Sequence, residues 1–207
     1  LIGADYGPLV EEKAIWCIAN LCRNASDKST TSEKNTAKFG SNGAIQEILA
    51  TMRDNMNISP LIIAGAWALR NLSILESNAN LMFSIRCFDT LSSLLRHHLA
   101  NALVCEAMCS LLSSLFCVER DIDILACGLC ELVIQTLHRH PSNALVVERC
   151  CSCIASLSWK RTEYKYHLAA DGGCSSIVRG LKAHKDSSRV AQEACGAIWN
   201  IAMDSNN

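Results

Sequence analysis

Ala66-Trp-Ala-Leu-Arg-Asn-Leu72 is the stretch from which this chain is read. Its pattern returns at four other places: Ile15-Trp-Cys-Ile-Ala-Asn-Leu21, Cys109-Ser-Leu-Leu-Ser-Ser-Leu115, Cys151-Ser-Cys-Ile-Ala-Ser-Leu157 and Cys195-Gly-Ala-Ile-Trp-Asn-Ile201. The closing apolar residues, Leu21, Leu72, Leu115, Leu157 and Ile201, fall 51, 43, 42 and 44 residues apart. The long first interval contains Ser26-Asp-Lys-Ser-Thr-Thr-Ser32, a polar run that reads as a loop insertion. Without it the period is near that of stacked helical repeats, in which each unit buries its apolar face against the next.

Each full period divides into three helical pieces. In the fourth, a short helix is expected over residues 121–127, and Gly128 permits a break. A second helix runs from Leu129 to His140. Pro141-Ser-Asn143 then supplies a turn and cap before a long third helix that ends near Trp159. Ser59-Pro60 predicts a cap followed by proline at a first helical position. Gly172-Gly173 separates the first and second helices of the last period.

Ala64-Gly-Ala-Trp-Ala-Leu-Arg-Asn-Leu-Ser73 resembles the third helix of an armadillo repeat. So does Ala169-Ala-Asp-Gly-Gly-Cys-Ser-Ser-Ile-Val-Arg-Gly-Leu181 followed by Glu193-Ala-Cys-Gly-Ala-Ile-Trp-Asn-Ile-Ala202. The resemblance spans residues 10–204. It implies an all-α, right-handed superhelical solenoid of three-helix armadillo repeats, with a HEAT-like α-α solenoid as the alternative. Residues 1–24 would be a partial repeat that supplies a third helix, residues 25–32 the insertion, and residues 33–76, 77–118, 119–160 and 161–204 four repeats of one continuous solenoid. The chain reads as a fragment of a longer array. Uncapped ends would expose core surface, so either more repeats in the full protein or end-to-end self-association of this fragment is expected.

Helical geometry sorts the third helices into faces, at about 100° per residue. Take Asn20, Asn71, Ser114, Ser156 and Asn200 as one row. Two residues earlier stand Ile18, Leu69, Leu112, Ile154 and Ile198. Three earlier stand Cys17, Ala68, Leu111, Cys153 and Ala197, and six earlier Ala14, Gly65, Met108, Cys150 and Ala194. These rows, with the closing apolar residues, are apolar or small throughout and define the core stripe. The opposite face carries the reference row itself. It also carries Trp16, Trp67, Ser110, Ser152 and Gly196 four residues earlier, and Glu12, Ile63, Glu106, Glu148 and Gln192 eight residues earlier.

That face suits an extended peptide. Asn offers a carbonyl acceptor and an NH₂ donor, so it can bond a ligand backbone without reading its sequence. Trp offers apolar faces to aliphatic stems and cations. Nuclear-import adaptors of the armadillo family hold basic peptides with this Trp-x-x-x-Asn arrangement, and Trp16/Asn20 and Trp67/Asn71 match it. The next two repeats have serine at both positions, and the last keeps Asn200 but has Gly196, with Trp199 beside it nearer the groove edge. The candidate peptide-binding residues are therefore Trp16, Asn20, Trp67, Asn71, Glu106, Ser110, Ser114, Glu148, Ser152, Ser156, Trp199 and Asn200. On this reading Asn71→Ala weakens binding with little loss of fold. Other roles fit the same residues. Trp can wedge between repeats, Asn near a helix end can bond the next inter-repeat loop, and Glu106 and Glu148 can form a solvated face or favour Lys and Arg on a ligand.

Composition narrows the function classes. At 50% hydrophobic and 19% charged residues, the 207-residue chain can bury a sizeable core. A net charge of −1 gives no basic excess for nucleic acid, and no apolar run is long enough to span a membrane. The 13 cysteines are odd in number and mostly at apolar positions, which favours free thiols in a reducing compartment, cytoplasm or nucleus. Cys127-Gly-Leu-Cys130, with His138, His140, Cys150, Cys151 and Cys153 nearby in sequence, has metal-like spacing. Core packing accounts for it, and no metal or cofactor is expected. His97-His98, His138 and His140 complement the ends of second helices. Lys182-Ala-His-Lys-Asp-Ser-Ser-Arg189 reads as a solvated loop. No catalytic triad, P-loop or dinucleotide fingerprint is present, so an enzyme is not expected. The expected function is a scaffold or adaptor that holds an extended partner segment, with a structural or regulatory segment docking on folded partners as the alternative.

Overall fold

The computed structural model describes residues 6–23, 31–118, 125–159 and 162–203, and every regular element among them is an α-helix. They form two compact units, residues 1–97 and 98–207. In the first unit, α1 (Pro8–Leu21) is a third helix. It is followed by the triplet α2 (Thr31–Ser41), α3 (Ala44–Asp54) and α4 (Ser59–Leu72), and then by α5 (Glu76–Ser84) and α6 (Cys87–His97). In the second unit, α7 (Ala102–Phe116), α9 (Ala144–Ser158) and α12 (Ser188–Ala202) are third helices. α8 (Leu129–Arg139) and α11 (Gly173–Ala183) are second helices, and α10 (Thr162–Ala170) is a first helix. Third helices stack on one another within each unit, α1 on α4, and α7 on α9 on α12.

Four local expectations are affected. The helix expected over residues 121–127 falls largely outside the described residues, and residues 125–127 form a turn. Residues 26–30 of the insertion are likewise outside them, while Thr31 and Ser32 open α2. Ser59 does not cap α4. The helix starts at Ser59 with Ile58 in the cap position and Pro60 in its first turn, where the missing N–H has no intrahelical acceptor to lose. The charged run 182–189 is only partly a loop, because Lys182 and Ala183 end α11 and Ser188 and Arg189 begin α12. The third helices of the second unit carry side-chain caps. Asn101 accepts from Leu103 N and Val104 N, Asn143 from Val146 N, and Ser187 from Val190 N.

The apolar stripe is the core. Gly65, Ala68, Leu69 and Leu72 of α4, Met108, Leu111, Leu112 and Leu115 of α7, and Cys150, Cys153, Ile154 and Leu157 of α9 are all buried. Each fully buried Leu or Ile among them contributes about 1.5–3 kcal/mol. In α1 the stripe is only partly covered: Ile18 is buried with Ile15 and Cys22, while Cys17 and Leu21 are exposed. In α12, Ala194 and Ala197 are buried and Ile198 and Ile201 half-buried. A polar contact joins α2 to α5. Asn78 is buried and donates from Nδ2 to Thr36 O at 3.1 Å and Leu72 O at 3.0 Å. Its side chain fills the space in which a Cβ at Gly40 would sit.

None of the 13 cysteines is in a disulfide. Burial pushes Cys105, Cys130 and Cys151 up to about 12, and lifts Cys150 and Cys153 well above the ordinary thiol value. Cys150 Sγ lies 3.6 Å from Cys109 Sγ inside the second unit. Alkylation needs the thiolate. Iodoacetamide near pH ~8 is therefore expected to label exposed Cys17, Cys117 and Cys195 in the native chain and to spare these five until it unfolds. Peptide mapping by mass spectrometry checks this, and fast native labelling of Cys150 or Cys153 would contradict the core described.

The bend between first and second helices needs a left-handed residue. Gly43, Gly128 and Gly172 take φ of 81°, 66° and 80° just before α3, α8 and α11. Just before α6 the residue is Arg86, at φ 55°, where its Cβ crowds the backbone. Its ion pair with Asp89 at 3.0 Å is exposed and offsets little of that strain. Arg86→Gly is expected to raise the unfolding free energy by about 0.5–1 kcal/mol, the strain relieved less the added unfolded-state entropy. Urea denaturation checks it, and a less stable variant would show that the ion pair outweighs the strain.

Candidate functional site

The first unit brings together the two Trp-x-x-x-Asn pairs. Stacking of α1 on α4 places Trp16, Asn20, Trp67 and Asn71 along one open groove of about 500 Å³, with Arg23 and Arg70 among its other walls. Both indoles are half-buried and border the groove, so neither is sealed between layers. The Arg70 guanidinium carbon lies 5.7 Å from the centroid of the Trp67 ring, within cation–π range.

The two asparagines of this groove differ. Asn20 is exposed. Asn71 is buried, donating from Nδ2 to Ala19 O at 2.8 Å and accepting at Oδ1 from Arg70 Nη1 at 3.2 Å. Ala19 stands in the last turn of α1, where carbonyls lack intrahelical donors. Leu21 O, in the same turn, accepts from Ser32 Oγ at 3.3 Å and Asn35 Nδ2 at 3.2 Å. Asn71 is thus first a structural tie between third helices, which corrects the expectation that its loss would leave the fold intact. The acceptor is the neighbouring third helix, not an inter-repeat loop.

The second unit repeats the tie at its last repeat. Asn200 Nδ2 donates to Ala155 O at 3.0 Å, and Ala155 holds in α9 the register that Ala19 holds in α1. Between α7 and α9, Ser152 and Ser156 of the serine rows bond a serine that lies outside those rows. Ser113 Oγ lies 3.1 Å from Ser152 Oγ and 3.4 Å from Ser156 Oγ, joining α7 to α9. Ser110 is buried and Ser114 half-buried. Glu148 is also buried, and pairs with Arg149 at 3.2 Å and Arg189 at 3.7 Å. Glu106 is half-buried. Burial lifts its carboxyl above the ordinary value, Glu148 adds to the rise and Arg149 opposes it. The solvated-face reading of Glu148 therefore does not hold, and its charge is already met from within the unit. Trp199 is 66% exposed. Among the described residues, no group of three or more His, Cys, Asp or Glu side chains is placed to hold a metal ion.

Arg23 and Arg70 are the groove residues that reading by rows passes over. Each occurs in one repeat only, so a comparison across repeats discards it. The usable signal was local: Arg70 lies between Trp67 and Asn71, and Arg23 lies one turn after Asn20.

Three-helix units, a left-handed bend after the first helix and stacked third helices define an armadillo-type repeat fold. The chain superposes on a designed armadillo repeat protein in complex with the peptide (KR)4, with a TM-score of 0.78 and 17% identity over 95% of this chain and 77% of that one. It also superposes on an engineered protein from the Northeast Structural Genomics Consortium, with a TM-score of 0.69 and 16% identity over 98% of this chain and 96% of that one. No protein-family model and no curated protein matches the sequence.

Asn71→Ala leaves the Ala19 carbonyl buried without its donor and is expected to cost about 1–3 kcal/mol of stability. Asn20→Ala, at the equivalent exposed position, is expected to stay within about 0.5 kcal/mol of the parent. Urea melts of the two variants decide it, and equal stability would remove the structural role of Asn71.

Proposed function

We propose that this chain is a non-catalytic scaffold that holds an extended segment of a partner protein along the third-helix groove of its first unit. The open groove between Trp16 and Trp67 carries this reading. Two half-buried indoles facing one space give a ligand rigid apolar walls at little entropic cost. Asn20 stands exposed beside them with an amide able to bond a ligand backbone. The armadillo-type neighbour, in complex with a peptide, supports the general mode. Residence in a reducing compartment, cytoplasm or nucleus, is part of the reading, since none of the 13 cysteines is in a disulfide and three are exposed. The narrower form, a nuclear-import type of adaptor for basic cargo, depends on the charges that line the groove.

Binding of immobilised octapeptides of varied composition tests the proposal. Peptides that bind the parent chain are expected to bind Trp16→Ala and Trp67→Ala at least about tenfold more weakly, a loss of about 1.4 kcal/mol, while circular dichroism shows the helices retained. The reading fails if no peptide binds, or if bound peptides are indifferent to both substitutions.

A further inference from the structure

We infer that the groove of the first unit selects an acidic segment, one whose Asp or Glu side chains alternate with small or apolar residues; this rests on the proposed groove function. Two side chains in its described walls are charged, Arg23 and Arg70, and both are cationic. No carboxylate stands among those wall residues. The nearest acidic residue on the same face of α1 is Glu12, one turn before Trp16, and Lys13 pairs with it at 3.0 Å.

The placement of Arg70 makes the charge part of the recognition surface. Its guanidinium lies against Trp67 and is held to Asn71 Oδ1 at 3.2 Å. Asn71 is itself tied to Ala19 O. The cation is therefore pre-positioned beside the indole by a buried residue. A Lys or Arg of a ligand approaching that ring would meet a like charge already in the cation–π position. A carboxylate would meet a guanidinium, the group best matched to it in geometry. Arg23, exposed at the end of α1, supplies a second cation along the same groove. Both arginines also complement the negative ends of α1 and α4. A third-helix end that needed only dipole compensation would not require one cation to be stacked and anchored.

The test compares three labelled octapeptides on the full chain by fluorescence anisotropy: alternating Asp and Ala, alternating Lys and Ala, and alternating Gln and Ala. The Asp peptide is expected to bind at least about tenfold tighter than the Lys peptide at ~0.05 M salt, with the preference shrinking toward ~0.5 M as charges are screened. Arg23→Glu and Arg70→Glu are each expected to erase or reverse that preference. Arg23 is exposed, so its variant keeps the test decisive if Arg70→Glu does not fold. If the Lys or Gln peptide binds as tightly as the Asp peptide and loses affinity in Trp67→Ala, the charge inference falls while the groove reading stands. An Asp preference that survives both arginine substitutions also overturns the inference. If no peptide binds, or Trp67→Ala changes nothing, the groove reading falls and the inference with it.

Discussion

The carbonyls at the end of a helix have no partners within it, and something must bond them before the next layer can pack. In this protein a following backbone N–H meets many of them, and some accept an amide from a helix further along the chain. Asn71 reaches Ala19 O, Asn200 reaches Ala155 O and Asn78 reaches Leu72 O. Each bond ties the end of one helix to a later one. The apolar stripe supplies most of the stabilisation, but apolar contact is tolerant of sliding. Directional bonds to fixed carbonyls are not, so they set the register at which one third helix meets the next.

The same constraint shapes the candidate site. In the first unit the tie at Asn71 also steadies Arg70 beside Trp67, so the feature that joins two layers prepares a surface between them. In the second unit the stacked faces of α7 and α9 use hydroxyls that bond one another, and the acidic residue of α9 is met by Arg149 and Arg189. Those polar atoms are turned to holding helices together. Third-helix faces that are equivalent by position thus have different balances of internal and outward-facing groups.

Much of the fold was legible because its signals are periodic. The core rows follow from about 3.6 residues per turn, and four of them correctly picked the buried positions of α4, α7 and α9. The bends at Gly128 and Gly172 were legible because glycine adopts positive φ freely. The equivalent bend at Arg86 was not, since nothing in the residue type announces it. The face that carries Trp16 and Trp67 could be read from spacing, but the state of its side chains could not. Whether Asn71 points to a ligand or to Ala19 O, and whether Glu148 meets water or Arg189, depends on neighbours 52 and 41 positions away. Arg23 and Arg70 were missed for the opposite reason: they break the repeat, and a search for what repeats is blind to what does not.

Gly40 and Asn78 carry a consequence for how this sequence can change. The amide of one occupies the volume that any side chain at the other would need, and that amide holds two main-chain carbonyls besides. Substitution at either site alone meets an obstacle set by its counterpart. Over evolutionary time the two positions, 38 residues apart, should behave as a single heritable character, conserved jointly or replaced jointly.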